Sequence, residues 1–296
     1  MASIWNDMYG MDILKADAGE RCSIPEAFRV SEVIQAKRVH CQIEGYMETP
    51  LVHLKGLAAS LGVKDILVKN EAKRFGLNAF KGLGGSFAMF CILCHKLGLD
   101  PKIAKLSDLK TESAQKVIQK MVFVTATDGN HGKGISRAGG IFGCKVIVYL
   151  PAGSAKVRAQ AIRMVGPAEV TITDMNYDQT VQYAMEQSKR NGWYLIQDTS
   201  WDDYEQIPTW IIQGYLTMAQ EMTEELAKRD IKPTHLFLQA GVGAMSLILS
   251  KEELKEVRKH MGLNEDSVIL LINTEGDTDP ENYREIVCNG AYPLPY

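Results

Sequence analysis

After residue 120, short apolar segments alternate with longer stretches of helical periodicity. The apolar segments predict strands at 121–127, 145–150, 168–173, 193–197 and 235–239, and the stretches between them predict helices at 131–142, 154–165, 178–190 and 208–228. Strands that alternate with helices in this way form βαβ units around a parallel sheet. The strands are rich in valine and isoleucine and lack polar alternation, which is typical of sheets covered on both faces. This part of the chain therefore predicts an α/β fold.

The first 120 residues have a weaker pattern. We expect an arm with one helix near 29–39, a buried strand at 65–71 and a helix at 86–97. Between the last two, a glycine cluster at 82–85 is expected to end a loop that carries Lys81.

The composition narrows the classes of function. The chain has 296 residues, 46% of them hydrophobic and 23% charged, with a formal net charge of −3. Proteins that bind nucleic acid usually have a basic bias, so this charge does not support that class. No stretch approaches the roughly 18 apolar residues of a membrane span, and the N-terminus lacks the pattern of a secretory signal. The six cysteines are thinly spread, which suits reduced thiols in a cytoplasm.

Three glycine-marked segments follow predicted strands. They are "TATDGNHGKG" at 125–134, "LQAGVGAM" at 238–245 and "INTEGDTDP" at 272–280. Ligands of parallel α/β proteins bind at the carboxyl ends of strands. The glycines of "GVGA" let backbone N–H groups approach an anion, for which phosphate is the natural candidate. A dinucleotide loop is disfavoured because the third glycine of G-x-G-x-x-G is absent, and a tight turn without a ligand is the other interpretation of so short a motif.

Lys81 adds a second element of chemistry. In "RFGLNAFKGLGGSFA" it stands between an apolar run and a glycine cluster, and a lysine that acts as a nucleophile must lose its proton near neutral pH. An amine does so where it is desolvated or lies near positive charge. Phe80 and Leu83 could supply an apolar wall, and the glycines would let a cofactor lie close. A reactive lysine and a phosphate loop are together what pyridoxal phosphate needs.

Six motifs occur in order over most of the chain: "NAFKGLGGS", "TATDGNHGKG", "IQDTSW", "QIPTWIIQGY", "LQAGVGAM" and "TEGDTDPENYREIV". Together they resemble the diaminopropionate ammonia-lyases, a family of the fold-type-II pyridoxal-phosphate enzymes that is related to threonine dehydratase. The resemblance implies two α/β domains with parallel sheets, as in the tryptophan synthase beta chain. The larger domain would comprise 1–85 and 176–296 and be truncated after 245, and the smaller would comprise 86–175. A homodimer is also implied.

The resemblance further implies a role for individual residues. Lys81 would hold the cofactor as a Schiff base and act as acid and base once the substrate displaces it, and Asn130 would meet the cofactor's ring oxygen. Asp128 and Asp198 match two carboxylates that abstract a proton, one for each substrate enantiomer. The remaining cofactor contacts are a phosphate loop and a partner near the pyridine nitrogen, expected at Gly241, Val242, Gly243, Ala244 and Thr274. No metal site is expected.

The implied reaction is the α,β-elimination of the amino acid 2,3-diaminopropionate to pyruvate and ammonia. The general dehydratases resemble "SAGNH", with a small residue where this chain has Asp128. A substrate with a second ammonium group would be stabilised by a carboxylate at that place, whereas a hydroxylated substrate such as serine does not need one. Two other functions stay open: an inactive remnant of such a lyase, and a serine or threonine dehydratase.

Plain structural roles are the alternatives for several of these residues. Asp128 could cap the helix that follows, Asp198 could be an ordinary loop acid, and His131 is expected to be a satisfied structural histidine. The "CILCH" sequence at 91–95 has the spacing of metal ligands. It falls within an apolar helical run, so a core helix is favoured over a zinc site.

The segment after "GVGAM" departs from the family pattern. Only "SLIL" precedes Ser250 and Glu253, which form an S-x-x-E capping box and predict a new helix. The helix that should follow the phosphate loop then has fewer than two turns and is too short to be stable without strong packing. We expect on the order of 100 residues to be missing at this join, which would expose apolar surface and a sheet edge. Smaller departures are Asn273 beside Thr274 and Cys288 in place of a tryptophan.

Overall fold

The computed structural model describes residues 3–6, 11–14, 24–238, 255–276 and 284–285. Its strands are β1 (Ser3–Asn6), β2 (Met11–Leu14), β3 (Leu51–His53), β4 (Asp65–Asn70), β5 (Val122–Ala126), β6 (Lys145–Leu150), β7 (Ala168–Ile172), β8 (Tyr194–Leu195), β9 (His235–Phe237) and β10 (Val268–Asn273). Its helices are α1 (Val30–His40), α2 (Lys55–Ser60), α3 (Lys81–Lys96), α4 (Glu112–Ile118), α5 (Asn130–Phe142), α6 (Lys156–Met164), α7 (Tyr177–Asn191), α8 (Gln206–Lys228) and α9 (Lys255–His260). The elements predicted between residues 121 and 239 are all present, with ends that differ by about two residues.

One sheet has the strand order β7-β6-β5-β8. All three of its strand pairs are parallel, as the alternation of strands and helices predicts. Phe123 and Val124 of the central strand β5 are fully buried, in keeping with helices on both faces. The carboxyl ends of β5, β7 and β8 therefore lie at the same edge of this sheet.

A second sheet has the order β3-β4-β10-β9, and β9 pairs with β10 in parallel. Among the described strands, β9 lies at one edge of this sheet, and Leu236 in it is 56% exposed. β1 and β2 form a separate antiparallel pair. By its contacts the chain divides into two compact units, one of residues 1–29, 52–68 and 231–272, the other of 30–51, 69–230 and 273–296. This division differs from the predicted domain limits at 85 and 175, which stay a prediction.

Helix α3 begins at Lys81, so the prediction of a loop ended by the glycine cluster is wrong. Glycine is a poor helix former, which is why the sequence indicates a loop. Close packing of helices explains its presence, because a Cβ atom on Gly84 would lie 2.8 Å from the carbonyl oxygen of Ile211 in α8. A Cβ atom on Gly214 would lie 2.6 Å from the carbonyl oxygen of Leu83. The glycines thus let α3 and α8 meet at backbone distance.

Replacing Gly214 with alanine is expected to destabilise the fold by about 1–3 kcal/mol, because the added methyl group meets backbone atoms that cannot move aside. Gly56→Ala is a matched control in α2, since nothing lies within 4 Å of its added Cβ. That change is expected to be neutral or stabilising by up to about 1 kcal/mol. Urea unfolding measures both, and equal effects would contradict the close approach of α3 and α8.

Helix α3 also accounts for the "CILCH" segment. Cys91 and Cys94 are buried in it, as expected of the core helix that the sequence favours. Among the described residues, no group of three or more His, Cys, Asp or Glu side chains is placed to hold a metal ion. The four cysteines in the described part of the chain, at 41, 91, 94 and 144, are free thiols. None of the helices described is both long enough and apolar enough to cross a bilayer.

Candidate active site

Lys81 stands at the first position of α3, after a bent segment. Phe75 and Asn78 have φ of 52° and 62°, the left-handed region that few residues other than glycine adopt. These turns bring the chain from β4 to the start of α3. The Lys81 amine (Nζ) donates a hydrogen bond to Asp198 Oδ2 at 2.7 Å. Lys81 is therefore held by a carboxylate that follows it by more than a hundred residues in the sequence.

Two aromatic rings lie against the Lys81 amine. The Nζ atom is 5.3 Å from the centre of the Phe80 ring and 5.5 Å from that of Tyr215. The sequence predicts Phe80 as part of an apolar wall, but not Tyr215, which comes from α8. These rings reduce the access of water to the amine on one side.

A cavity of about 350 Å³ opens beside this amine. It is lined by Ala79, Phe80, Lys81, Thr127, Asp128, Asn130, His131, Tyr177, Asp198, Thr274 and Glu275. Every site residue predicted from the sequence within the described part of the chain is in that set. The predicted phosphate loop, Gly241 to Ala244, and the predicted capping box at Ser250 lie outside the described residues.

Asp198 is mostly buried, with 16% of its side chain exposed. Burial by itself would raise the pKa of this carboxyl, but the neighbouring His131 ring, the charge of Lys81 and the hydrogen bond from Lys81 lower it to about 2. An ordinary loop acid would lie in solvent, so that alternative does not fit. Asp198 is a carboxylate held ionised by two basic side chains inside the cavity.

Among the described residues, only one of the two ring nitrogens of His131 has a hydrogen-bond partner. Nε2 lies 3.1 Å from the carbonyl oxygen of Ile196, and it donates there because a carbonyl oxygen only accepts. Nδ1 is buried and has no hydrogen-bond partner among the described residues. Its distance to Asp198 Oδ2 is 3.7 Å. The expectation of a satisfied structural histidine is therefore wrong for Nδ1.

Asp128 is exposed and lies between β5 and α5. The residue that caps α5 is Gly129, and no side chain makes a capping hydrogen bond there, so the alternative role of Asp128 as a helix cap is not supported. The carbonyl oxygen of Asp128 accepts a hydrogen bond from Arg158 Nη1 at 3.0 Å. This bond fixes the backbone and leaves the carboxylate at the cavity.

The chain after β10 completes another side of the cavity. The carbonyl oxygen of Thr274 accepts a hydrogen bond from the backbone N–H of Phe80 at 3.1 Å, and Ala79 forms an isolated β-bridge with Glu275. The Asn130 amide donates to the Glu275 carboxylate, whereas the resemblance assigns it to a cofactor oxygen. Residues 274–276 thus lie beside Lys81.

Sequence reasoning did not single out Tyr177, the first residue of α7. Its hydroxyl accepts a hydrogen bond from Gln197 Nε2 at 3.3 Å. Burial and the nearby charges of Asp198 and Asp128 raise the pKa of Tyr177, so its phenol stays neutral. The sequence did contain a signal for Tyr177. Asn176 caps the start of α7 and follows β7 closely, so it marks the carboxyl end of that strand. Glu275 lies in the glycine-marked segment "INTEGDTDP", but nothing in that segment singled out this residue.

Comparison with known proteins supports a single family. Residues 43–250 match the family described as pyridoxal-phosphate-dependent enzyme. Diaminopropionate ammonia-lyase of Escherichia coli strain K12 is 48% identical over 219 residues, which are 74% of this chain and 54% of that protein. L-threonine dehydratase of the same strain is 26% identical over 230 residues, 77% of this chain and 38% of that protein.

A crystal structure of Escherichia coli diaminopropionate ammonia lyase in apo form matches with a TM-score of 0.82 and 35% identity, over 91% of this chain and 94% of that one. The predicted fold class and cofactor are thereby confirmed. The chain spans about half the length of the ammonia-lyase sequences that it matches, a share consistent with the predicted missing segment. The chain belongs to the family of pyridoxal-phosphate-dependent enzymes and is a homologue of the diaminopropionate ammonia-lyases.

Proposed function

We propose that this protein eliminates ammonia from 2,3-diaminopropionate with pyridoxal phosphate and so forms pyruvate and ammonia. The observation that carries the proposal is the pairing of the Lys81 amine with Asp198, 2.7 Å apart, in a cavity that Asp128 also lines. One amine and the carboxylates of Asp128, Asp198 and Glu275 thus line the same cavity. The identity with the ammonia-lyases supports the choice of substrate.

The described side chains fit the ring end of the cofactor. Lys81 presents an amine, Thr274 a hydroxyl and Asn130 an amide, and all three line the same cavity. The buried Nδ1 of His131 is an unpaired polar atom of that cavity. When bound, pyridoxal phosphate supplies an aldehyde that captures an amine and a ring that stores the electrons of the broken C–H bond. Its phosphate would be held by residues 241–244.

Each chain residue would then have a defined task. The Lys81 amine holds the cofactor, and the rings of Phe80 and Tyr215 keep water from that amine. Asp198, released by Lys81, takes the α-proton of one substrate enantiomer, and Asp128 takes that of the other. Asp128 also attracts the second ammonium group of the substrate through a hydrogen bond between opposite charges. Lys81 then returns a proton to the product.

Replacing Asp128 with asparagine tests the substrate assignment. The amide keeps the shape but loses the charge, so we expect the ratio of kcat/KM for diaminopropionate to that for serine to fall by about 10- to 100-fold. Pyruvate release measures both substrates. Asp266→Asn, an exposed residue of the other compact unit, is the control and should leave the ratio unchanged.

An unchanged ratio in Asp128→Asn would reject the role of that carboxylate. Wild-type protein that releases pyruvate from serine or threonine but not from diaminopropionate would favour a dehydratase. Cofactor binding without any pyruvate from these amino acids would favour an inactive remnant, which is the alternative that the shortened chain suggests.

Assembly and location are further parts of the proposal. A homodimer follows from the resemblance, and a cytoplasmic location follows from the thinly spread cysteines. The four free thiols of the described residues support a reducing compartment.

A further inference from the structure

One ring nitrogen of the buried His131 side chain has no role in the reaction proposed above. The residue is 3% exposed and lies in the first turn of α5. Its Nδ1 atom has no hydrogen-bond partner in the described part of the chain. A buried polar atom without a partner destabilises a fold. His131 also lines the cavity, so the unpaired nitrogen needs an explanation.

The two ring nitrogens differ because of their neighbours. Nε2 donates to the carbonyl oxygen of Ile196, so it carries a hydrogen whether the ring is neutral or charged. Nδ1 is then the atom that gains or loses a proton. It lies 3.7 Å from Asp198 Oδ2, and this carboxylate is the acceptor that a hydrogen on Nδ1 would meet.

The pair and the titratable groups around it come from four parts of the fold. Asp198 follows β8. Lys81 begins α3, and its amine donates to Oδ2 of Asp198, the same atom that lies 3.7 Å from Nδ1. Tyr177 begins α7 and lines the cavity with Asp128, which precedes α5. Of these groups, Lys81 is the one that competes with His131 for Asp198, and Lys81 is the one that must leave Asp198 to hold the cofactor.

We propose that His131 is a positioning residue that acts through Asp198: the proton taken up by the Asp198–His131 pair rests on Nδ1 of the ring, which keeps Asp198 in its carboxylate form. The inference rests on the proposed elimination. The substrate's Cα–H bond breaks, its electron pair stays with the substrate, and its proton passes to Asp198 and from there to Nδ1. The pair gains one proton and the ring one positive charge, so atoms and charge balance.

The ring nitrogens of the apoprotein, followed by NMR against pH, test the coupling without any substrate. An opposite charge within a few ångström shifts proton uptake by about 1–3 pH units. Asp198→Asn should therefore move proton uptake by Nδ1 to lower pH by about one unit or more. Lys81→Met should move it to higher pH, because Asp198 then pairs with His131 alone.

Asp266→Asn, a change at an exposed residue of the other compact unit, should leave proton uptake by the ring unchanged. The proposal is overturned if the proton uptake of the ring is the same in wild type, Asp198→Asn and Lys81→Met. It is also overturned if the ring stays neutral in all of them from about pH 5 to about pH 9, a range that spans the usual titration of histidine.

His131→Gln separates this role from a structural one. The glutamine amide keeps a donor for the Ile196 carbonyl oxygen but has no atom that titrates. We expect kcat to fall about tenfold or more, with a smaller change in KM. Recovery of the wild-type rate and pH profile in this variant would overturn the proposal. Coupled titration in the apoprotein without pyruvate from diaminopropionate would support the pair and reject the proposed substrate.

Discussion

Lys81→Ala is expected to abolish covalent capture of pyridoxal phosphate and to lower the elimination rate by about a thousandfold or more. In the proposed reaction this amine forms the bond to the aldehyde, and among the described residues Lys81 is the lysine that lines the cavity. Lys133, near the start of α5, donates a hydrogen bond to the carbonyl oxygen of Leu77 at 3.0 Å. The absorbance of purified protein titrated with cofactor measures capture, and pyruvate release measures the rate.

Lys116→Ala is a matched control for this change. Lys116 is an exposed residue of α4 that pairs with Glu112, so its loss should alter neither absorbance nor rate. The Lys81→Ala protein should keep its far-ultraviolet circular dichroism. A full absorbance band of the bound cofactor in correctly folded Lys81→Ala would contradict the assignment of the nucleophile.

Glu221→Ala is expected to destabilise the fold by about 3–5 kcal/mol, the usual result of removing one partner from a buried ion pair. The Glu221 side chain of α8 is 1% exposed. It accepts hydrogen bonds from Lys69 at 2.6 Å, from Arg74 at 2.7 Å and from Tyr46 at 2.7 Å. Arg74 also pairs with Glu71, so the cluster has two positive and two negative charges. Without Glu221, two cations stay buried beside one carboxylate.

The cluster predicts an acid dependence of stability. Burial alone would raise the pKa of Glu221, but the hydrogen bonds and charges of Arg74 and Lys69 lower it from 4.5 to about 2. A lowered pKa in the folded state means that the stabilisation is present above about pH 4.5 and is lost as the pH falls toward about 2. The difference in unfolding free energy between wild type and Glu221→Gln should shrink over that range.

Urea unfolding at several pH values measures both effects. Glu225→Ala is the control, since this acid lies on the same helix but has a side chain that is 32% exposed and pairs with Arg229. Its loss should change stability far less than that of Glu221. Similar effects of the two substitutions, or a wild-type advantage over Glu221→Gln that does not depend on pH, would contradict the account of the cluster.

The cluster also shows why the site depends on residues remote from it. Glu71 and Arg74 belong to the bent segment that leads to Lys81, and Glu221 ties this segment to α8. Phe75, next to Arg74, has a positive φ that costs free energy outside glycine. Buried ion pairs are able to hold such a segment in one conformation. We therefore expect Glu221 variants that still fold to bind the cofactor less tightly.

The α/β alternation and the meeting of Lys81, Asp128 and Asp198 were predictable from the sequence. Apolar strands of regular spacing fix a parallel sheet, and its carboxyl ends bring the residues after β5 and β8 to one edge. The sequence did not predict that α3 begins at Lys81. Local propensity disfavours glycine in a helix, and the reason for its use is the backbone contact of Gly84 and Gly214 with the facing helix.

Contacts between distant residues account for what else was missed. Glu221 and Arg74 are 147 positions apart. In the sequence, neither residue can be told apart from an ordinary charged residue at the surface. The orphaned nitrogen of His131 depends on a ring orientation that is set by the carbonyl oxygen of Ile196. Tyr215 reaches the Lys81 amine only because α3 and α8 cross at glycines. Such features depend on packing, which no local pattern reports.

In the proposed reaction, the Lys81 amine forms the bond to pyridoxal phosphate. Borohydride reduction of the cofactor-loaded protein, followed by digestion and mass spectrometry of the peptides, tests it most directly. We expect one pyridoxyl group, on the peptide that contains Lys81. A pyridoxyl group on another lysine, or bound cofactor with no reducible bond to the chain, would contradict it.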